Sequence, residues 1–397
     1  MDKSRELSCP QACQICGASD LHEVKDFSLL PRITSDCRSF TAGGWLFVCF
    51  ACGGVQKLPD ARWLKEIENI YSNYQTYYQS GGDEQIVFDR VTGTPRRRSD
   101  VIIERLVAGN QLGAKGRAID VGCGNGATLN AMCRVLTEWS FSGYELGNES
   151  LPRLSRIPRF EKLYTGTLDA VNGRFDLVTM IHSLEHFPSP SNALMQLLPV
   201  VGNGKIFIEV SNIEENPFDI LIADHLMHFS PETLSHLMYR CGFEAVTVAT
   251  DWVPKEISLG ARAAQNGVNH VGLGRKAEAS AGDKVMARIT VYADWLHRMV
   301  AGVNRQAHEK NLFGIFGTSI AGTWLASAME DAVDFFVDED PNRVGKKHMG
   351  KPILHPSQVP QRAKVYFALA PSLARKVATR VQSKKFELVL PPPLQLT

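Results

Sequence analysis

The stretch R-A-I-D-V-G-C-G-N-G-A-T-L, residues 117–129, constrains this chain more than any other. An apolar run reading as a buried strand carries Asp120, and glycines follow at alternate positions, Gly122, Gly124 and Gly126, ahead of a helical pattern. Glycine weakens strands and helices alike, so three of them in one turn need a geometric reason: backbone there must pass very close to something. The same alternation continues on both sides. Strands read at 117–121, 139–144, 175–181, 204–210 and 243–249, with helices at 99–108, 126–136, 191–198 and 231–241. Alternation of this kind predicts an α/β fold, a doubly wound sheet with parallel strands.

The spacing D-x-G-x-G-x-G is not the G-x-G-x-x-G of a dinucleotide fingerprint, and it lacks the lysine and Ser/Thr of a phosphate loop. It suits a bulky ligand that is uncharged where it meets the turn. At 397 residues the chain is expected to form several domains. The pattern divides it into a cysteine-rich module (1–75), a central domain (76–270) and a smaller C-terminal α/β domain (271–397). Residues 255–283 read as a connection rich in Gly, Ala and polar residues, and about 283–309 as a long amphipathic helix. A second strand–glycine–helix unit follows, F-G-I-F-G-T-S-I-A-G-T-W-L. Two readings of its turn stay open: a cradle for part of a substrate, or close helix–strand packing. Asp338 and Asp340 read as the start of a solvated turn, and Arg96, Arg97 and Arg98 as a solvated basic face. A formal net charge of +1 gives no field toward nucleic acid or anionic membrane. With no bilayer-length apolar run and no signal-peptide core in the first residues, a cytoplasmic location is expected.

Four of the nine cysteines form two C-x-x-C hooks, Cys13/Cys16 and Cys49/Cys52, separated by 32 residues. Two such hooks bring four thiolates to one tetrahedral ion, and zinc suits that geometry. Gly17, Gly53 and Gly54 follow the hooks as knuckle turns require. Cys9 and Cys37 read as spare. Residues 1–60 hold six Lys/Arg and seven Asp/Glu, a poor footprint for gripping RNA.

The segment A-I-D-V-G-C-G-N-G resembles the first motif of class I S-adenosylmethionine-dependent methyltransferases, and the resemblance runs along the Rossmann-like core. It implies S-adenosyl-L-methionine as cofactor, held over Asp120, Gly122, Cys123, Gly124 and Gly126. Glu145, at the end of S-G-Y-E, takes the position of the acid that accepts the ribose hydroxyls, with Leu146 beside it. Thr167 and Leu168 in Y-T-G-T-L-D resemble the adenine-side loop, and F-D-L-V-T-M-I-H-S-L-E-H-F-P, with Ile181 and His182, the fourth strand and the loop beyond it. A nicotinamide cofactor is the competing reading of the turn.

Taken whole, the chain resembles the zinc-containing three-domain sugar C-methyltransferases, which act on nucleotide-linked 4-keto-6-deoxy sugars. Against their F-D-x-x-Y-H-E-H-x-x-Y-F-S segment this chain reads F-D-I-L-I-A-D-H-L-M-H-F-S. The resemblance makes His225 the base, oriented by Asp224, with His182 a further catalytic candidate. Ile222 and Ala223 replace a tyrosine and a histidine of that motif, and His228 replaces its second tyrosine. Tyr77, Tyr78, His186 and His228 are the expected substrate contacts, and Tyr77, Tyr78 or His182 the candidate donors to an enolate. O- or N-methylation of another small molecule, RNA methylation with the zinc module as grip, and binding of the donor without catalysis are the alternatives.

Overall fold

The computed structural model describes residues 12–75, 82, 84, 86–88, 95–110, 112–264, 281–307, 311–329, 332–381 and 385–395. Its centre is a sheet of seven strands: β1 (Lys115–Val121), β2 (Glu138–Glu145), β3 (Phe160–Thr165), β4 (Leu177–Ile181), β5 (Lys205–Ser211), β6 (Phe243–Ala249) and β7 (Glu256–Ala263). Their order across the sheet is β3-β2-β1-β4-β5-β7-β6. The chain reverses its direction of travel between β1 and β4. In open α/β sheets, such a switch opens a crevice beyond the carboxyl ends of the strands. Ala118, Ile119 and Val121 of β1, and Ile206, Phe207 and Ile208 of β5, are fully buried, as continuous apolar runs must be when helices cover both faces.

The helices start where the sequence supplies caps. Pro231–Arg240 opens on S-P-E-T, with Ser230 and Thr233 forming a reciprocal capping box and proline in its first turn. Pro190–Val201 likewise has proline in its first turn. Two expectations need correction. The sheet is mixed, because β7 runs antiparallel to both β5 and β6. The segment taken as a connection from 255 therefore contains a strand placed inside the sheet. Its composition misled because a strand in that position needs small side chains: Gly260 lies opposite Phe207. β3, also unexpected, forms the other edge of the sheet.

The cysteine module is stitched into the central domain. Its four-stranded sheet runs Leu21–Glu23, Phe47–Cys49, Val55–Gln56 and then Met227–His228, a strand from the far side of β5. Helix Ala61–Tyr71 is capped by Asp60, whose carboxylate accepts from Trp63 N. It buries Trp63, Ile67 and Ile70, and the Trp63 indole donates to the Ala223 carbonyl at 3.1 Å.

The 27-residue helix Ala281–Ala307 leads to the C-terminal sheet of six strands. Phe27, Leu30 and Val48 of the module share one core with Phe218, Trp295 and Trp324. Indole N–H bonds from Trp324 to Pro31 O and from Trp295 to Pro392 O fix the C-terminal unit in place. Among the described residues, no helix is long and apolar enough to cross a membrane.

Candidate active site

The glycine turn after β1 is held from below. Gly122, Gly124 and Gly126 all have left-handed φ, at +79°, +51° and +84°. A β-carbon on Gly122 would lie 2.6 Å from Ser183 Cβ, and one on Gly126 would lie 2.7 Å from Leu154 Cδ2. Two of the three glycines thus answer to the protein's own packing, which corrects the expectation that all of them make room for a ligand. Gly124 does something different: its N–H donates to Glu145 Oε1 at 2.5 Å, while Leu146 N donates to Oε2 at 3.3 Å. These bonds leave further lone pairs on a strand-tip carboxylate beside an exposed Leu146. Burial raises the Glu145 pKa, and the two backbone donors work against that rise. Asp120 and Cys123 are covered: Asp120 accepts from Thr179 Oγ1 at 2.6 Å, and burial pushes it up to about 7. Their side chains support the turn from beneath and are no ligand contacts.

Beyond β4 and β5 lies a wall of histidines. His225 Nδ1 is 3.1 Å from Asp219 Oδ1, and His228 Nδ1 is 2.6 Å from Asp219 Oδ2. Asp219 is buried, yet these two rings hold its carboxyl well below the usual range. The partner of His225 is therefore Asp219 and not Asp224, a correction: a carboxylate adjacent in sequence points away, whereas the short 3-10 turn Asp219–Leu221 folds back beneath the ring. Asp224 instead accepts from Ser35 N at 2.8 Å and Ser35 Oγ at 2.5 Å, and pairs with His186 Nδ1 at 3.3 Å. Tyr71 OH is 3.0 Å from the same nitrogen. The His186 ring stands edge-on to His225, with centroids 4.7 Å apart. His186 is half-buried, His225 only 4% exposed, and His228 and Asp224 closed off completely. Burial thus closes the His228 ring and the Asp224 carboxylate to an outside molecule, which corrects their expected contact with substrate and with His225.

His182 has a left-handed φ of +50° and sits between two carboxylates. Its Nδ1 is 3.2 Å from Glu185 Oε1, and its Nε2 is 3.1 Å from Glu256 Oε2, although the Nε2–H is not aimed at that oxygen. Burial disfavours the imidazolium, but Glu256 and Glu185 more than offset it and carry the pKa to about 10. Arg98, read as a solvated face, pairs with the other oxygen of Glu256 at 3.3 Å.

In the module, the four thiols lie within 4.8 Å of one another, with Cys13 and Cys52 3.6 Å apart and Cys16 and Cys49 3.5 Å apart. A tetrahedral zinc ion with Zn–S bonds of about 2.3 Å separates its sulfurs by about 3.8 Å, so the donor set fits. A bound dication would hold all four as thiolates. Gly17 and Gly53 have left-handed φ, and their N–H groups close the two knuckles onto Cys13 O and Cys49 O.

A family model described as a methyltransferase domain matches residues 95–248, the span from the first helix of the core through β6. Residues 95–248 are a methyltransferase domain. The chain is 28% identical over 131 residues to ubiquinone biosynthesis O-methyltransferase of Proteus mirabilis (strain HI4320), covering 29% of this chain and 51% of that protein. It is 30% identical over 124 residues to the enzyme of the same name from Psychrobacter arcticus, covering 28% of this chain and 47% of that one. The chain thus spans about half the length of the curated relatives it matches. Among solved structures it is similar to the mitomycin 7-O-methyltransferase MmcR, with TM-score 0.37, 14% identity and coverage of 42% and 54% of the two chains. Human N-acetylserotonin methyltransferase gives TM-score 0.36, 13% identity and coverage of 42% and 51%.

In the methyltransferase domain, Ile181 and His182 lie at the end of β4, Thr167 is exposed and Leu168 buried behind it. Tyr77 and Tyr78 lie outside the described residues. The chemistry that sequence reading missed is Asp219, Tyr71, Glu256 and Lys57. Asp219 belongs to a segment already singled out, F-D-I-L-I-A-D-H, where its carboxylate offered a signal, and Tyr71 precedes the tyrosines expected to contact substrate. Glu256 was hidden by the misread strand.

Proposed function

We propose that this chain is an S-adenosylmethionine-dependent methyltransferase that methylates carbon on a nucleotide-linked 4-keto deoxysugar, with His225 as base. S-adenosylmethionine, when bound, supplies an electrophilic methyl group. Glu145 with the Gly122–Gly126 turn would hold it, because that carboxylate keeps lone pairs beyond those its described partners take and stands at the tip of β2, next to the β1 turn that borders the switch point. The observation that carries the reading is the pairing of His225 with buried Asp219. A hydroxyl or amine brings its own lone pair and mainly needs alignment. A carbon acid must lose a proton, and a histidine fixed by a carboxylate is the device for that. Nδ1 of His225 is committed to Asp219, so Nε2 is the nitrogen that takes the proton. His186, held by Asp224 and lying over His225, forms the more open edge of the same wall. Asp219 stabilises the imidazolium that results, and its second oxygen stays on His228.

The cysteine cluster is proposed to hold one zinc ion in a structural role, because all four donors are thiols and none is left for a reacting molecule. O-methylation of a small phenolic or sugar hydroxyl is the second reading, favoured by the curated relatives' names. Incubating the protein with methyl-labelled donor, a panel of nucleotide-linked 4-keto sugars and a panel of catechols separates the two. Carbon-bound label on a sugar is the expected result, and oxygen-bound label on a catechol alone overturns the sugar assignment.

A further inference from the structure

Behind His225 lies a lysine that the proposed reaction does not use. Lys57 follows the strand Val55–Gln56 of the cysteine module and is 2% exposed. Burying a charge is costly unless its hydrogen bonds are all made. Lys57 Nζ lies 2.8 Å from Ile222 O, 2.8 Å from His225 O and 2.9 Å from His228 Nε2. Three acceptors match the three N–H bonds of an ammonium; a neutral amine would need a proton on Nε2 of neutral His228, leaving its bare Nδ1 against Asp219 Oδ2 at 2.6 Å. Burial draws Lys57 down to about 7, while the charges of Asp219 and Asp224 pull it back up and Arg32 opposes them.

The direction of each bond in this row follows. An ammonium can only donate, so His228 Nε2 offers its lone pair and the proton of neutral His228 is on Nδ1. That nitrogen donates to Asp219 Oδ2, and the remaining oxygen, Oδ1, accepts from His225 Nδ1. Asp219, His225 and His228 also have the clustering of a metal site. Here, however, both Nδ1 atoms and both carboxylate oxygens are spent on one another, with the ammonium behind them.

We infer that Lys57 is a positioning residue, supplied by the cysteine module: it holds His228 as the Nδ1–H tautomer, so that His228 and His225 share Asp219 and Nε2 of His225 is left to take a proton. The inference rests on the reading of His225 as base. It also gives the module a part in the chemistry: Lys57 ties the carbonyls of Ile222 and His225, on either side of Asp224, to the sheet that carries the cysteines.

The test uses full-length protein purified without chelator and labelled with ¹⁵N in its histidines. In the wild type, His225 and His228 are both expected as the Nδ1–H tautomer. In Lys57→Met, His228 is expected to lose that single tautomer. Turnover (kcat) is expected to fall about 10- to 100-fold, with KM within about threefold and donor affinity unchanged. An Nε2–H tautomer for either ring in the wild type overturns the inference, as does wild-type kcat in the variant. Should Lys57→Met fail to fold, the wild-type spectrum decides alone. Expected tautomers without methyl transfer to any sugar support the Lys57 row while sinking the acceptor reading. Methyl transfer that ignores Lys57→Met does the reverse.

Discussion

The chain uses one device twice, with opposite results. In the methyltransferase domain and in the C-terminal unit, a strand runs into a glycine turn and a helix, and an acid stands at the tip of the next strand. In the first, Glu145 receives, among the described residues, the backbone N–H groups of Gly124 and Leu146. In the second, Asp338 accepts from Thr318 Oγ1 at 2.5 Å, from Asp340 N at 3.0 Å and from Arg343 Nη1 at 3.4 Å. Asp340, read as solvated, is 5% exposed and pairs with the same arginine. Gly322 sits where a β-carbon would lie 2.0 Å from Gly317 O, so the helix packs directly onto the turn. Close packing, one of the two readings of this turn, is what the contacts favour. A strand-tip acid can serve a ligand only if its own domain has not already filled its lone pairs.

The largest effect that would break this contrast comes from the same chemical change made in each region. Asp219→Asn, beneath His225 in the methyltransferase domain, is expected to lower turnover about 10²- to 10⁴-fold with donor affinity intact. Asp338→Asn is expected to leave turnover within about twofold, and steady-state kinetics on both variants reads the difference. Chelating the zinc ion proposed for the cysteine cluster, or replacing Cys16 with Ser, is expected to inactivate the protein by loosening the sheet shared with His228. Native mass spectrometry should find one zinc per chain before treatment and none after it. Next in size, Gly322→Ala is expected to cost about 3 kcal/mol, seen as a lower Tm with unchanged donor affinity.

The last expected effect concerns pH and leaves donor binding aside. His182 is raised from 6.5 to about 10 in the folded protein. Its stabilisation is therefore complete below pH 6.5 and is lost as pH rises toward 10. Denaturant titrations across that range should show stability declining, and His182→Asn should flatten the decline.

The sequence made the order of strands and helices around the first turn legible, because buried strands with helices on both faces must be continuously apolar. It also made both cysteine hooks and the strand-tip Glu145 visible, since each depends on short spacing. It hid β7, where Ser258, Gly260 and Ala261 among the apolar residues read as a linker and Gly260 lies opposite Phe207. The pairing of His225 was hidden for a different reason. Asp224 is its neighbour along the chain, but backbone direction sends that carboxylate to Ser35 and His186, leaving Asp219 to turn back beneath His225. Lys57 was invisible because its partners lie more than 160 residues away.

Isothermal titration of the methyl donor, and of its demethylated product, into wild type, Glu145→Gln and Asp338→Asn tests the contrast most directly. Wild type and Asp338→Asn are expected to bind alike. Glu145→Gln should weaken binding at least about 10-fold, the loss of one hydrogen bond to a charged acceptor. Undiminished binding by Glu145→Gln, or binding abolished by Asp338→Asn, would contradict the account.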